Sequence, residues 1–183
     1  AAGRRMIVID PRRTETADVA DLHLPLRPGT DAFLLGAMLA IILRRGGEAA
    51  EFLSRHTVGW EDVRSVLART PIEAWVAHAD VPLADVERAV DMILAARSMV
   101  VRVELGIQQS RHSTLNSYLE KLLYLVTGNF GRPGTNGIHT WLLPLYRDSQ
   151  GERSNVTGQK IIGGLLPTNR FADEVLSDDP RRV

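Results

Sequence analysis

Residues 6–14 read MIVIDPRRT, a short apolar run (Met6, Ile7, Val8, Ile9) that stops at an acid, a proline and two guanidinium groups. The run predicts a strand over residues 5–10, closed by Pro11. In an open α/β sheet, ligands sit beyond the carboxyl ends of the strands, where backbone N–H groups and helix N-termini converge. A strand that empties into Asp10-Pro11-Arg12-Arg13-Thr14 therefore has two readings. Asp10 caps a helix with Pro11 at its first position, or the turn grips a polar, anionic ligand through carboxylate, guanidinium and hydroxyl groups.

Working outward, TETADVA (14–20) predicts a short helix, and LHLPL (22–26) a second strand with Pro25 marking an edge. AFLLGAMLAIIL (32–43) is apolar on all sides. It is shorter than the ~20 residues a bilayer requires and predicts a buried helix over 31–45, stopped by two arginines and two glycines. Helical patches follow at 48–55 and 60–68, and another begins near Pro71. Over 83–97, Leu83, Val86, Val90, Ile93 and Leu94 fall on one helical face. MVVRVEL (99–105) predicts a strand. After it comes a helix placing Leu115, Tyr118, Leu119, Leu122 and Val126 on one face, stopped by TGNFGRPG.

Strands alternating with helices predict an α/β fold. The form expected is a three-layer αβα, Rossmann-like parallel sheet, incomplete, over residues 1–131. An irregular segment over 132–183 would lie against a neighbouring domain.

Composition bounds the function. The chain has 183 residues, 22 basic and 22 acidic, so its formal charge is zero and nothing favours nucleic acid or an anionic membrane as partner. It contains no cysteine, which excludes disulfides, thiolate metal sites, cysteine-held iron–sulfur clusters and a cysteine nucleophile within these residues. Residues near the N-terminus lack the pattern of a secretory signal, so a cytoplasmic location is the expectation, with the periplasm left open. The five histidines show no metal-ligand spacing, no Ser-His-Asp order is evident, and the three tryptophans are too dispersed for a base-stacking platform. No catalytic residue and no metal ligand is assigned.

Two further stretches join the first as candidate binding elements. Pro28-Gly29-Thr30-Asp31 opens the apolar helix, with Gly29 admitting a ligand to the backbone and Asp31 clamping a base or sugar; helix capping by Thr30 or Asp31 is the alternative. Gly106-Ile-Gln-Gln109 is expected at a strand-to-helix turn, where amides with both donors and acceptors suit a heterocycle.

Taken together, VIDPRRTETADVADLHLPLRPGTDAFLLGAML (8–39), ELGIQQSRHSTLNSYLEKLLYLVTGNFGRPGTNGIH (104–139) and, more faintly, GLLPTNRFADEVLSDDPRR (164–182) resemble the dinucleotide-binding region of the molybdopterin oxidoreductases. The resemblance implies a bis-molybdopterin guanine dinucleotide cofactor carrying molybdenum or tungsten. Asp10, Pro11, Arg12, Arg13, Thr14, Gly29, Thr30 and Asp31 would bind a guanosine-diphosphate arm, and Gly106 and Gln109 would lie near the pterin or diphosphate. Residues 1–13, with four arginines and one aspartate, carry a net +3, which suits that role. The family's proteins are several times longer, so the resemblance also implies an internal part of a parent oxidoreductase. An iron–sulfur cluster, where present, and the metal ligand would lie elsewhere in the parent. The partners would be its remaining domains and electron-transfer subunits, and this portion alone would not turn over substrate. Residues 137–144 (GIHTWLLP) lack the Arg-Gly-Gln-Asn-type loop common in the family.

Two readings compete: a stand-alone nucleotide module for NAD or GTP, disfavoured because neither GxGxxG nor GxxxxGK[ST] occurs, and a structural module whose turns only cap helices.

Overall fold

The computed structural model describes residues 3–137, 153–159 and 170–180. The chain divides into two units, Ala1–Gly137 and Ile138–Val183. The first begins with strand β1 (Ile7–Ile9), helix α1 (Glu15–Asp18) and strand β2 (Leu22–Leu24). The strands pair in parallel with Ile7 opposite Leu22, Val8 opposite His23 and Ile9 opposite Leu24. Pro25 ends β2, as a residue without an N–H should. The architecture is mixed α/β; of the expected sheet, the described residues hold these two strands.

The remaining elements are helices α2 (Asp31–Arg44), α3 (Ala50–His56), α4 (Trp60–Ala68), α5 (Ile72–Ala79), α6 (Leu83–Leu94), α7 (Leu105–Gln108) and α8 (Ser113–Val126). α2 is the pillar of the unit. Every residue from Leu34 to Ile42 is buried, and α4, α5, α6 and α8 all pack on it. A helix apolar all round can satisfy its surface only by such complete enclosure. Gly36 sets how closely α5 approaches: a Cβ there would come within 2.4 Å of the Trp75 ring. The face of α6 falls where its spacing places it, with Val86, Ala89, Val90 and Ile93 buried.

One expectation is corrected. Residues 99–105 do not form a strand. They run as coil, Met99–Glu104, without a strand partner among the described residues, and enter α7 with Glu104 extended. Side-chain amides replace the partner. Asn129 Oδ1 accepts from the Met99 N–H (2.9 Å), while Asn136 accepts from the Val101 N–H (2.8 Å) and donates to the Val101 carbonyl (2.9 Å). These bonds also keep residues 132–137 with the first unit. On α8, Leu115 and Tyr118 are about half exposed, not buried. The helix is enclosed mainly along its later turns, from Leu119 to Val126.

In the second unit, helix α9 (Phe171–Val175) interrupts a segment expected to be irregular. Its Glu174, fully buried, accepts from the hydroxyls of Ser154 and Thr157. Ser154 Oγ in turn accepts from the N–H groups of Val156 and Thr157 (both 3.0 Å). Residues 138–144, and all of the GLLPTNRFADEVLSDDPRR stretch except 170–180, lie outside the described residues. Among the described residues no helix is long and apolar enough to cross a membrane.

Candidate functional site at the carboxyl edge of the parallel strands

Because β1 and β2 run in parallel and in register, both chains leave the sheet on the same edge. Asp10 is the first residue beyond β1. Its N–H still reaches the ladder, donating to the Leu24 carbonyl (3.3 Å). Its carbonyl accepts from His23 Nε2 (2.9 Å), which fixes the proton on that nitrogen because a carbonyl cannot donate. Its carboxylate Oδ1 accepts from the Arg12 N–H (2.7 Å), forming an Asx turn. Oδ2 takes no partner among the described residues.

Asp10 is therefore not a helix cap. That task falls to Thr14, whose hydroxyl accepts from the Ala17 N–H (3.3 Å) at the head of α1. Arg13 is drawn aside by Asp18, with Nε 2.6 Å from the carboxylate and both side chains mostly exposed. Arg12 forms no ion pair among the described residues. Pro11 is exposed.

The chain leaving β2 makes Arg27-Pro28-Gly29-Thr30 into a turn closed by Thr30 N–H to Arg27 carbonyl (3.2 Å), with Gly29 at φ +80°. Proline second and glycine third in such a turn is the type II pattern, and the positive φ is what requires glycine. The space where a Cβ would stand at Gly29 is open. A second anchor, Arg27 N–H to Ala79 carbonyl (2.8 Å), ties the turn to the end of α5.

Thr30 sits at the N-cap of α2 but does not cap it. Its buried hydroxyl donates back to the Arg27 carbonyl (2.6 Å). The Ala32 N–H at the head of α2 consequently has no partner among the described residues, at the positive end of the helix dipole. Asp31 is half-buried beside it. Burial holds its carboxyl above the usual aspartate value of 3.8, with its own backbone N–H pulling the other way.

The structure thus joins two of the three candidate stretches on one edge. Gly106 and Gln109 are exposed on α7 and at its C-terminal cap. They follow a coil segment, not a strand. No hydrogen bond among the described residues ties them to Asp10 or Asp31. Gly106 has neither a positive φ nor a neighbour within 4 Å of a would-be Cβ, so the fold itself does not call for glycine there.

Sequence reasoning missed His23, set aside as one of several scattered histidines. Its signal was parity: one residue from the end of a strand, on the same edge as Asp10. Asn129 and Asn136 were also missed. Among the described residues no group of three or more His, Asp or Glu is placed to hold a metal ion.

No protein-family model matches the chain. Similar proteins are nonetheless found. The alpha subunit of formate dehydrogenase 2 from Methanococcus maripaludis is 33% identical over 133 residues, covering 73% of this chain and 20% of the relative. Nitrate reductase from Synechocystis is 31% identical over 131 residues, covering 72% and 18%. Among solved structures, acetylene hydratase from Pelobacter acetylenicus superposes with a TM-score of 0.68 at 25% identity, over 71% of this chain and 18% of that one. The chain spans about a fifth of the length of these proteins. Over the stretch they share, it belongs to the molybdopterin oxidoreductase family.

Proposed function

We propose that this chain is the part of a larger molybdopterin-dependent oxidoreductase that holds one guanosine-diphosphate arm of a bis-molybdopterin guanine dinucleotide cofactor. One observation carries the reading. The Asp10 turn and the Arg27–Asp31 turn leave adjacent parallel strands on one edge, with groups to spare for a ligand: Asp10 Oδ2, the Arg12 guanidinium and the Ala32 N–H. Had these turns served only to cap helices, Asp10 and Thr30 would have capped; neither does.

The chemistry of the set suits a guanine nucleotide. A carboxylate accepts the paired N–H donors on the Watson–Crick edge of guanine, or ribose hydroxyls, and we assign Asp31 and Asp10 to these roles. Arg12 and the head of α2 face the diphosphate, since a guanidinium and an uncapped helix N-terminus both favour anions. Arg13 and Thr14 belong to the same rim, although Asp18 and the Ala17 N–H already engage them. Gly29 and Thr30 shape the turn, and Pro11 fixes the exit from β1. Gly106, glycine without a backbone reason, and Gln109 are assigned to the pterin or diphosphate side.

When bound, the cofactor supplies redox chemistry at molybdenum or tungsten; these residues bind and orient it. In the parent, the two strands become part of a three-layer αβα sheet, with residues 1–131 as its partial dinucleotide-binding domain and 132–183 returning to a neighbouring domain. Any iron–sulfur cluster and the electron-transfer subunits lie outside these residues, and this portion alone is inactive.

Titration with guanosine diphosphate tests the reading. Binding is expected, weakened about tenfold or more by Asp31→Ala and by Asp10→Ala, as befits loss of a hydrogen bond to a charged group. Equal indifference to guanosine diphosphate, adenosine diphosphate and NAD would sink the proposal, and a preference for NAD would replace it with the dinucleotide-module reading.

A further inference from the structure

Helix α8 interrupts its own apolar row at one place. Leu119, Leu123 and Val126 are buried at helical spacing, and Asn116, one turn earlier on the same row, is buried with them at 2% exposure. A leucine there would extend the row and leave no polar atom to satisfy. Asn116 instead reaches back across the bend between α7 and α8. Its Nδ2 donates to Ser110 Oγ (2.8 Å), and Ser110 Oγ donates to the Ile107 carbonyl (2.8 Å). The serine hydroxyl has one hydrogen and spends it on that carbonyl. It can therefore only accept from residue 116, which fixes the amide with its nitrogen toward Ser110. Asn116 Oδ1 is left buried and without a partner among the described residues. An unsatisfied buried acceptor opposes folding and offsets the bond its own amide makes. The fold as such gains little from this asparagine.

What the relay does hold is the end of α7. That helix is a single turn with no side-chain cap at Glu104, and one turn does not support itself. Gln109 lies between the two residues that the relay joins, Ile107 and Ser110, and is exposed. Its N–H donates to the Leu105 carbonyl (3.0 Å) and the Ser110 N–H to the Ile107 carbonyl (3.3 Å), so the backbone on either side of it is set by the same bend. We infer that Asn116 and Ser110 are positioning residues for Gln109: they fix the backbone from which its amide meets the pterin or diphosphate side of the cofactor. The inference rests on the proposed function, which gives Gln109 that role. A binding group is held in its productive geometry by residues behind it whose own orientation is locked by packing and hydrogen bonds. Asn116 has both, and neither reaches the ligand. Retaining it in place of leucine exchanges stability for orientation.

Hydrogen exchange and cofactor retention test this. In the 183-residue chain, Asn116→Leu and Ser110→Ala should each speed exchange at the Gln109 and Ser110 amides. Ser110→Thr keeps the hydroxyl and should exchange as the parent does. Asn116→Leu should melt no lower than the parent, because the orphaned oxygen goes with the bond. In the full-length polypeptide that contains this chain, pterin retained after gel filtration is read by its fluorescence. It should bind about tenfold more weakly in Gln109→Ala, Asn116→Leu and Ser110→Ala alike, the loss expected for one hydrogen bond. The double variant at 109 and 116 should lose no more than Gln109→Ala alone, since residues that act through one group do not add. Unchanged exchange at 109 and 110 would overturn the inference, as would losses that add in the double variant. A lower melting point for Asn116→Leu with full retention would also overturn it, because that is the mark of a residue that only supports the fold. Pterin released by Asp10→Ala and Asp31→Ala but not by Asn116→Leu refutes this inference alone. Pterin released by none of these variants, with exchange still responding, refutes the proposed function and not the relay.

Discussion

Two regions that carry candidate residues are held by different means. At Asp10 and Arg27–Thr30 the chain is fixed by backbone bonds: Asp10 to Leu24, Arg27 to Ala79, Thr30 to Arg27. At residues 99–101, leading to Gly106 and Gln109, it is fixed by two asparagine side chains. A parallel ladder is continuous and cooperative with its neighbours, whereas a side-chain amide is a single contact that one substitution removes. The first region carries its own geometry, and the second borrows it from the 129–136 loop.

The comparison can be broken in three places. The largest effect should come from Leu39→Ala, which empties a fully buried position on α2 and should cost about 2–5 kcal/mol. Because α2 carries both its own head and α8, chemical denaturation should lower the whole first unit in one transition; loss confined to one region would show that the two are not supported in common. Asn136→Ala should cost about 1–3 kcal/mol by stranding the Val101 peptide groups. Exchange should accelerate at the Val101 amide and stay unchanged over 7–10. Equal acceleration at both would mean that the asparagine holds more than its own segment.

Asp31→Asn should have the smallest effect and the opposite sign. The folded carboxyl is held above its ordinary value by burial, so the native state keeps the proton longer than the unfolded one, and stability falls as pH rises through that range. Asparagine removes the charge. The variant should melt no lower than the parent at neutral pH, with any gain vanishing below the ordinary aspartate range, while nucleotide binding suffers. Thermal melts at pH 3 and pH 7 read this directly, and a variant less stable only at neutral pH would show that the ionised carboxylate supports the fold.

Elements fixed by local pattern were legible in the sequence. The all-apolar run 32–43 could be satisfied only by enclosure, and α4 occupies residues 60–68, where a helical patch is expected. The turn at 27–30 was readable because proline and glycine specify its type. What failed depended on distant partners. MVVRVEL has the alternation of a strand, yet a strand exists only when another lies beside it. Leu115 and Tyr118 continue the apolar stripe of α8, but enclosure is concentrated past them, along Leu119–Val126. His23 acts through the carbonyl of Asp10, just beyond the neighbouring strand, and Asn129 and Asn136 act across thirty or more residues of chain; neither leaves a periodic trace. The two turns that follow β1 and β2 could each be read in the sequence because each is local. Whether the third belongs with them could not be read from spacing.

The bond from Arg27 to Ala79 has a consequence for how a ligand would be received. The turn ahead of α2 is clasped at once by α5, by its own Thr30 and by the ring constraint of Pro28, so its shape is settled in advance. An arriving nucleotide would spend little of its attraction on reshaping the protein, and discrimination among bases would then depend on how well the bases fit, not on how readily the loop yields.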